Sequence, residues 1–349
     1  MAAPTRYQVS VTFTDECNMR CVYCTTAKRK VFITPQRIDR VLHLLERTAP
    51  ASLDLNFHGG EPTLVWEQVQ RLNAGLHRIG SDRRISRNLC TNGTHLDAQR
   101  AAFLKENGFD VRVSIDGRKS THTRFRFDRD RRDLDRSAAL YDRTLAGLRA
   151  LIAADVSTAA NMVVTAETVG ALLSNAVFLI RQGLIHLVIS PVVGMPWPDE
   201  ALVMFDAQLR GMTPIWQKWM QQVSPRRHED LRRSILSEID RAAYCIGERM
   251  NQPDARILVI GPDGRIFGDE PDVRTDKALV IGHIDEIEDL TELPALPRTA
   301  FQLMYDRAFY APHVLRDVRR THRLLRKRLT EMYGVLFPHQ PMVIDRSAG

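Results

Sequence analysis

The sequence predicts an α/β fold: a partial (β/α)6 TIM-type barrel followed by a smaller α+β C-terminal domain built from a β-hairpin and helices. Three observations predict it. Short β-type runs alternate with amphipathic stretches across the first half, glycine and asparagine stops separate them, and an Asp-Gly turn lies between two apolar runs late in the chain. The β-type runs are 7–14, 52–57, 86–91, 110–115, 158–164 and 185–190. Helical periodicity fits 35–48, 64–79, 96–107, 138–154 and 168–182, with Thr34-Pro35 and Thr63 as starts and Asn107, Gly108 and Gly183 as stops. Six strand–helix units fall short of the closed eight-fold barrel, which takes about 250 residues.

The segment from Gly194 to Pro198 ends the alternation. Residues 201–250 read as helical, 256–260 and 265–267 as a hairpin closed at Pro262-Asp263-Gly264, and 298–335 as helical again. The expected organisation is a barrel over 1–200, a helical connector over 201–240 and a C-terminal domain over 241–349. No internal repeat or low-complexity linker interrupts it.

With 349 residues, 44% of them hydrophobic, the chain is large enough for a sizeable core. No run approaches the roughly 20 apolar residues of a membrane span. The N-terminus runs straight into its first strand without a signal peptide's apolar segment, so a cytoplasmic location and no membrane partner are expected. That start also leaves no room for an N-terminal peptide-recognition domain. The net charge of +7 is concentrated: residues 124–136 hold six Arg against four Asp, and 316–328 hold seven basic residues against one Asp. Such runs read first as solvated faces, and otherwise as a surface for an acidic partner.

Five cysteines in such a chain read as metal ligands or reactive thiols rather than disulfides. Three of them form Cys17-x3-Cys21-x2-Cys24 directly after the first strand. Thiolates on a short loop suit an iron–sulfur cluster, and three ligands leave one iron open. A zinc site shares part of this spacing, although no second ligand pair lies nearby. The next three strands also end in polar strings: Asn56-Phe57-His58-Gly59-Gly60-Glu61-Pro62, then Thr91-Asn92-Gly93, then Ser114-Ile115-Asp116-Gly117. Ligand sites of parallel α/β sheets lie outside the C-terminal strand ends, so four successive strands mark one rim.

In the order and spacing of these four motifs the chain resembles radical S-adenosylmethionine (SAM) enzymes. The branch is the one with a SPASM or twitch C-terminal domain, which includes sulfatase maturases and peptide maturases. The resemblance implies one [4Fe–4S] cluster on Cys17, Cys21 and Cys24, and SAM as second cofactor. It places Tyr23 by the adenine, Gly59, Gly60 and Glu61 at the SAM amino group, and Ser114 and Asp116 near the ribose or methionine with Asn92 close by. Arg143 is the candidate for the SAM carboxylate. It further implies an electron donor such as flavodoxin or ferredoxin, and reductive cleavage of SAM to a 5′-deoxyadenosyl radical that abstracts hydrogen from substrate.

The C-terminal part departs from that pattern. Cys245, the string around Pro262-Asp263-Gly264 and Ile281-Gly282-His283-Ile284 follow the family order, but Asp269 stands where a cysteine is usual, and no cysteine follows Cys245. The auxiliary-cluster ligands are thus read as lost, with Asp269 as an oxygen ligand the alternative. Cys245 is a candidate hydrogen-atom donor or a structural thiol. Cys90, Trp197 and Trp216 read as core, and His58, His283 and His313 as packing or hydrogen-bonding groups.

Three function classes follow. The first is cross-linking or oxidation of a side chain in a ribosomally made peptide, with arginine-rich surfaces for an acidic leader. The second is epimerisation or dehydrogenation of a small metabolite with Cys245 as donor. The third is a non-catalytic nucleic-acid-binding or scaffold protein, for which no aromatic-interleaved basic motif is present, so nucleic acid is not the expected partner.

Overall fold

The computed structural model describes residues 6–24, 26, 28–79, 83–130, 133–246, 255–268, 280–294 and 312–342. These fall into two compact units. One comprises the described residues of Met1–Val113, Arg126–Ser157 and Gln252–Phe301; the other comprises those of Ser114–Phe125, Thr158–Asn251 and Gln302–Gly349.

The first unit is built on four strands, β1 (Arg6–Thr12), β2 (Ser52–His58), β3 (Arg84–Thr91) and β4 (Phe109–Ser114), each paired in parallel with the next. Burial alternates along β2 and β4. Val9, Val11, Leu53, Leu55, Phe57, Leu89, Val111 and Val113 are buried, while Asp54 and Asn56 between them on β2 are half-buried. Helices α1 (Pro35–Thr48), α2 (Trp66–Ile79), α3 (Ala98–Glu106) and α5 (Leu134–Ala153) also belong to this unit. Side chains such as Ile38, Leu45, Leu72 and Leu104 are almost fully buried, each contributing about 1.5–3 kcal/mol relative to exposure.

Helix starts follow local chemistry. Thr34 caps α1 by accepting the Arg37 N–H at 3.3 Å, as its place before Pro35 predicts. Thr63 does not start α2. Glu61 caps a short 3-10 turn, Pro62–Val65, and α2 begins at Trp66. The carboxylate outcompetes the hydroxyl because it accepts both the N–H and the Oγ of Thr63.

The late hairpin forms as expected, β7 (Ala255–Ile260) against β8 (Arg265–Phe267), with Gly264 at φ +93° in the turn. It does not stand apart from the first strands: β7 pairs in parallel with β1, and β9 (Val280–His283) adds to β8. Arg40 on α1 donates to the Ile284 carbonyl at 2.8 Å, and the Leu290 N–H donates to Thr48 Oγ1 at 2.9 Å.

The second unit contains the parallel pair β5 (Ser157–Val164) and β6 (His186–Pro191), with α4 (Lys119–His122), α6 (Leu172–Arg181), α7 (Asp199–Met220), α8 (Pro225–Cys245) and α9 (Pro312–Leu336). Trp197 and Trp216 are buried, as expected of core residues. The expected helix over 298–335 is described only from Pro312, and Asp269 lies outside the described residues.

Candidate functional site

The cysteine loop is closed at its base. The Phe13 N–H donates to the His58 carbonyl at 2.8 Å, the Asp15 N–H to Val31 at 3.1 Å and the Ile33 N–H to Phe13 at 2.8 Å. The chain therefore leaves the β1 end and returns to it, with Thr14 bridging Phe32. Cys17 is buried, and Cys21 and Cys24 are half-buried. Cys17 packs with Met19 and with Leu140 of α5, Cys21 lying against them.

Lys28 is the electrostatic centre of the loop. Its ammonium acts on the thiols of Cys17, Cys21 and Cys24 and hydrogen-bonds the last, and those thiols raise its own pKa against the opposing effect of burial. Of the three sulfurs, only that of Cys24 is hydrogen-bonded to this cation; those of Cys17 and Cys21 feel its charge. Burial pushes the Cys17 thiol up to about 11, with Lys28 opposing. At Cys24, burial also acts upward, but Lys28 and hydrogen bonds from Thr26 outweigh it and hold the thiol below its ordinary value. The Cys17 sulfur accepts the Met19 N–H at 3.4 Å and the Asn92 side-chain amide at 3.8 Å.

Motifs two and three are joined by Glu61, which is 1% exposed. Its Oε1 accepts from Thr63 Oγ1 at 2.6 Å and Thr91 Oγ1 at 2.7 Å; its Oε2 accepts the Asn92 N–H at 2.6 Å. Asn92 in turn donates to Asn18 Oδ1 at 2.8 Å, and its carbonyl accepts from Thr144 Oγ1 of α5 at 2.9 Å. The Gly60 N–H donates to Thr14 at 2.6 Å and the Glu61 N–H to Glu16 at 2.9 Å. A Cβ on Gly60 would stand 2.2 Å from the Glu16 carbonyl oxygen, so only glycine lets these two loops meet.

Part of the first basic run is structural rather than a solvated face. Arg126 is buried, with its guanidinium 5.3 Å from the Tyr23 ring centroid. The Arg20 N–H donates to Phe127 at 2.9 Å, Met19 bridges Asp128, and Arg129 pairs with the buried Glu16 and donates to the Cys17 carbonyl at 3.5 Å. Sequence reasoning missed this clasp, and missed Lys28; the signal available was the acid-free Lys28-Arg29-Lys30 run directly after the cysteine motif.

The first unit thus brings together Cys17, Cys21, Cys24, Tyr23, Gly59, Gly60, Glu61 and Asn92. Ser114 is half-buried at the end of β4. Asp116, in the second unit, is buried, and its Oδ1 accepts the Val163 N–H at 2.8 Å. Arg143 is exposed on α5, where its charge helps hold His95 below its ordinary pKa after the larger effect of burial. Cys245 is the last residue of α8, half-buried and within electrostatic reach of Arg241. Cys90, on β3, is half-buried.

The donor set suits an iron–sulfur cluster: three cysteines on one short loop, two N–H donors to the Cys17 sulfur, and one cation that lowers the Cys24 thiol's pKa. Nη1 of Arg20 is buried with no hydrogen-bond partner among the described residues, which fits an anionic group beside the loop. No three His, Cys, Asp or Glu among the described residues are placed to hold a single metal ion.

Comparison with known proteins agrees. The family model of the Radical SAM superfamily matches residues 11–171. The cysteine-type anaerobic sulfatase-maturating enzyme of Clostridium novyi (strain NT) is 30% identical over 128 residues, 34% of this chain and 34% of that one. The GTP 3',8-cyclase of Corynebacterium glutamicum is 37% identical over 115 residues, 30% of each chain. The chain thus spans about a third of the length of the curated relatives it matches. Among solved structures, histidine-tagged anSMEcpe with bound AdoMet matches with a TM-score of 0.71 at 17% identity, covering 98% of this chain and 97% of that one. Streptococcus suis SuiB bound to precursor peptide SuiA matches with a TM-score of 0.54 at 12% identity, covering 91% and 67%. The α/β fold with its parallel strands is the one these structures share. Residues 11–171, which carry the four motifs and the cysteine loop, match the family model of the Radical SAM superfamily.

Proposed function

We propose that this chain is a radical SAM enzyme that modifies a side chain of a ribosomally made peptide by cross-linking or oxidation. The observation that carries the chemistry is the buried Cys17 sulfur, with Cys21 packed against it on the same loop, tied through Asn92 to the Glu61 hub. When bound, the [4Fe–4S] cluster and SAM supply reductive cleavage to methionine and a 5′-deoxyadenosyl radical that takes hydrogen from substrate. The chain's own part is to hold and orient. Cys17, Cys21 and Cys24 ligate, and Asn92 and the Met19 N–H donate to the Cys17 sulfur, stabilising its thiolate against burial. Gly59, Gly60 and Glu61 would hold the SAM amino group, with the Glu61 carboxylate tying its loop to Thr63, Thr91 and Asn92. Tyr23, kept in place by Arg126, would take the adenine side.

The peptide reading is supported by the fold shared with anSMEcpe, which has been solved with bound AdoMet and the Cp18Cys peptide, and with SuiB bound to SuiA. A second reading, a small-molecule substrate, is supported by the similarity to GTP 3',8-cyclases; in it Cys245 would donate a hydrogen atom to a substrate radical. The test is a fluorescence binding titration and mass spectrometry with a small peptide encoded beside the gene. Saturable binding and a mass change that depends on SAM support the peptide reading. No binding, with turnover of a small metabolite that stalls in Cys245→Ala while SAM cleavage persists, supports the second.

A further inference from the structure

The sheet of the first unit has two unlike faces. On one, Phe57 and Phe109 meet edge to face with ring centroids 5.0 Å apart, and Phe109 lies 6.3 Å from Phe103 of α3, so the helices cover this face. Across β1 to β4 the opposite face is polar. Ser10, Asn56, Asn88 and Asp110 stand side by side on it, and Asn56 donates to Ser10 Oγ at 3.1 Å. One row further from the rim, Asp54 accepts from Arg6 at 3.0 Å and from Ser86 at 2.7 Å. A barrel packed through its middle carries Val, Ile and Leu at such positions. A parallel sheet buried on both faces likewise reads as a continuous apolar run. This face is therefore built to meet a polar group.

One row nearer the rim, Cys90 of β3 stands opposite Arg112 of β4. Arg112 is exposed. Its guanidinium has no hydrogen bond or ion pair among the described residues, whereas Arg6 on the same face is paired with Asp54. Two residues past Cys90, Asn92 donates to the Cys17 sulfur at 3.8 Å. Arg112 thus lies one strand spacing, about 4.8 Å, from the strand that leads to the cysteine loop. A planar guanidinium with its donors unused matches a carboxylate, which it can bind through two parallel hydrogen bonds. We infer that Arg112 binds a carboxylate of the substrate, an Asp or Glu side chain in a peptide, and so selects acidic substrates. The inference deepens the peptide reading above and rests on it for the nature of the substrate. Asp110, also exposed and without a side-chain partner among the described residues, lies about 6.6 Å further from the rim. It repels an anion, so the carboxylate reaches Arg112 from the rim side. SAM also carries a carboxylate, but Arg112 stands two residues short of Ser114, the strand end that the resemblance gives to SAM.

The experiment applies phenylglyoxal, which adds to free guanidinium groups, to the full chain before and after reconstitution with iron and sulfide. Modification at Arg112 blocks tryptic cleavage and joins 106–112 to 113–118, so mass spectrometry reads it directly. The probes are acetylated, amidated Gly-Glu-Gly and Gly-Gln-Gly, N-acetylglutamate, and SAM. The Glu peptide should protect Arg112, with half-protection at a concentration about tenfold or more below that of the Gln peptide, because hydrogen bonds to a charged group are the stronger class. Asp110→Asn should lower that concentration further. Arg84, exposed at the far end of the same face, should gain no protection. Fluorescence anisotropy of the labelled peptides should show the preference for Glu lost in Arg112→Gln and partly kept in Arg112→Lys, both with native far-ultraviolet circular dichroism. Equal protection by the two peptides, equal protection of Arg84, or a preference that survives in Arg112→Gln overturns the proposal. Protection by SAM alone also overturns it, since the carboxylate is then the cofactor's. Protection by N-acetylglutamate but by neither peptide supports the carboxylate site and overturns the peptide reading. Protection by the Glu peptide in a chain that takes up no iron supports the site and overturns the radical SAM reading.

Discussion

The carboxylate of Glu61 accepts the backbone N–H of Asn92 at 2.6 Å, and through this bond the loop after β2 and the loop after β3 are a single built unit. The same side chain holds Thr63 and Thr91 with its other oxygen. Glu61→Gln keeps the shape but turns one acceptor into a donor facing buried donors. A buried polar group left unsatisfied costs about 1–3 kcal/mol, more where a charge-assisted bond is lost. We expect urea unfolding to show a loss of at least about 2 kcal/mol, together with faster loss of iron to a chelator. Unchanged stability would contradict the hub.

Gly60 is where the second motif touches the first. Gly60→Ala puts a methyl 2.2 Å from the Glu16 carbonyl oxygen, a backbone atom that moves only with the cysteine loop. Overpacking of this kind costs about 1–3 kcal/mol. The expected outcome is lowered iron content in a protein whose far-ultraviolet circular dichroism is native; full iron loading would contradict the close approach.

Arg129 neutralises Glu16, whose side chain is buried. Removing it leaves a buried carboxylate without its partner. Because Arg129 is itself half exposed, the cost is between that of a surface pair and a buried one, about 1–3 kcal/mol. Arg129→Ala should speed iron loss from the loop and Arg129→Lys should restore most of the retention. Equal loss rates in wild type and both variants would remove the clasp from the account.

His322 on α9 is buried, with Nδ1 2.9 Å from the Val318 carbonyl oxygen. Burial lowers its pKa to about 4, further aided by Arg241. Between pH 4 and about 6.5 the unfolded chain therefore binds a proton that the folded chain does not, so stability rises with pH across that window. The contribution is at most about 1.4 kcal/mol per pH unit, and it is absent above about pH 6.5. Thermal unfolding of His322→Gln followed from about pH 4 to 7 should show a shallower slope than wild type; parallel curves would mean that His322 does not titrate as described.

The six strand–helix units and the hairpin at Asp263-Gly264 were legible because each rests on local signals, period-two or helical alternation and turn chemistry. The four rim motifs were legible from their order along the chain. The work done by their side chains was not. Glu61 looks like a ligand for an ammonium, yet its carboxylate is bonded to Thr63, Thr91 and Asn92, partners up to 31 residues away that only the folded rim brings near. Lys28 and Arg129 read as members of charge runs, because nothing in a linear sequence says that Lys28 turns back toward three thiols at φ +57° or that Arg129 meets Glu16. The exposure of Arg143 likewise depends on which face α5 presents, and the amphipathic pattern of that helix is weak enough to leave the face open.

The measurement closest to the central claim is anaerobic reconstitution with iron and sulfide, followed by iron counting and a dithionite-driven assay for 5′-deoxyadenosine. The account predicts about four irons per chain and SAM cleavage, both abolished when Cys17, Cys21 and Cys24 are changed to Ala. A chain that takes up no cluster and forms no 5′-deoxyadenosine, or one whose iron and cleavage survive those substitutions, would contradict it.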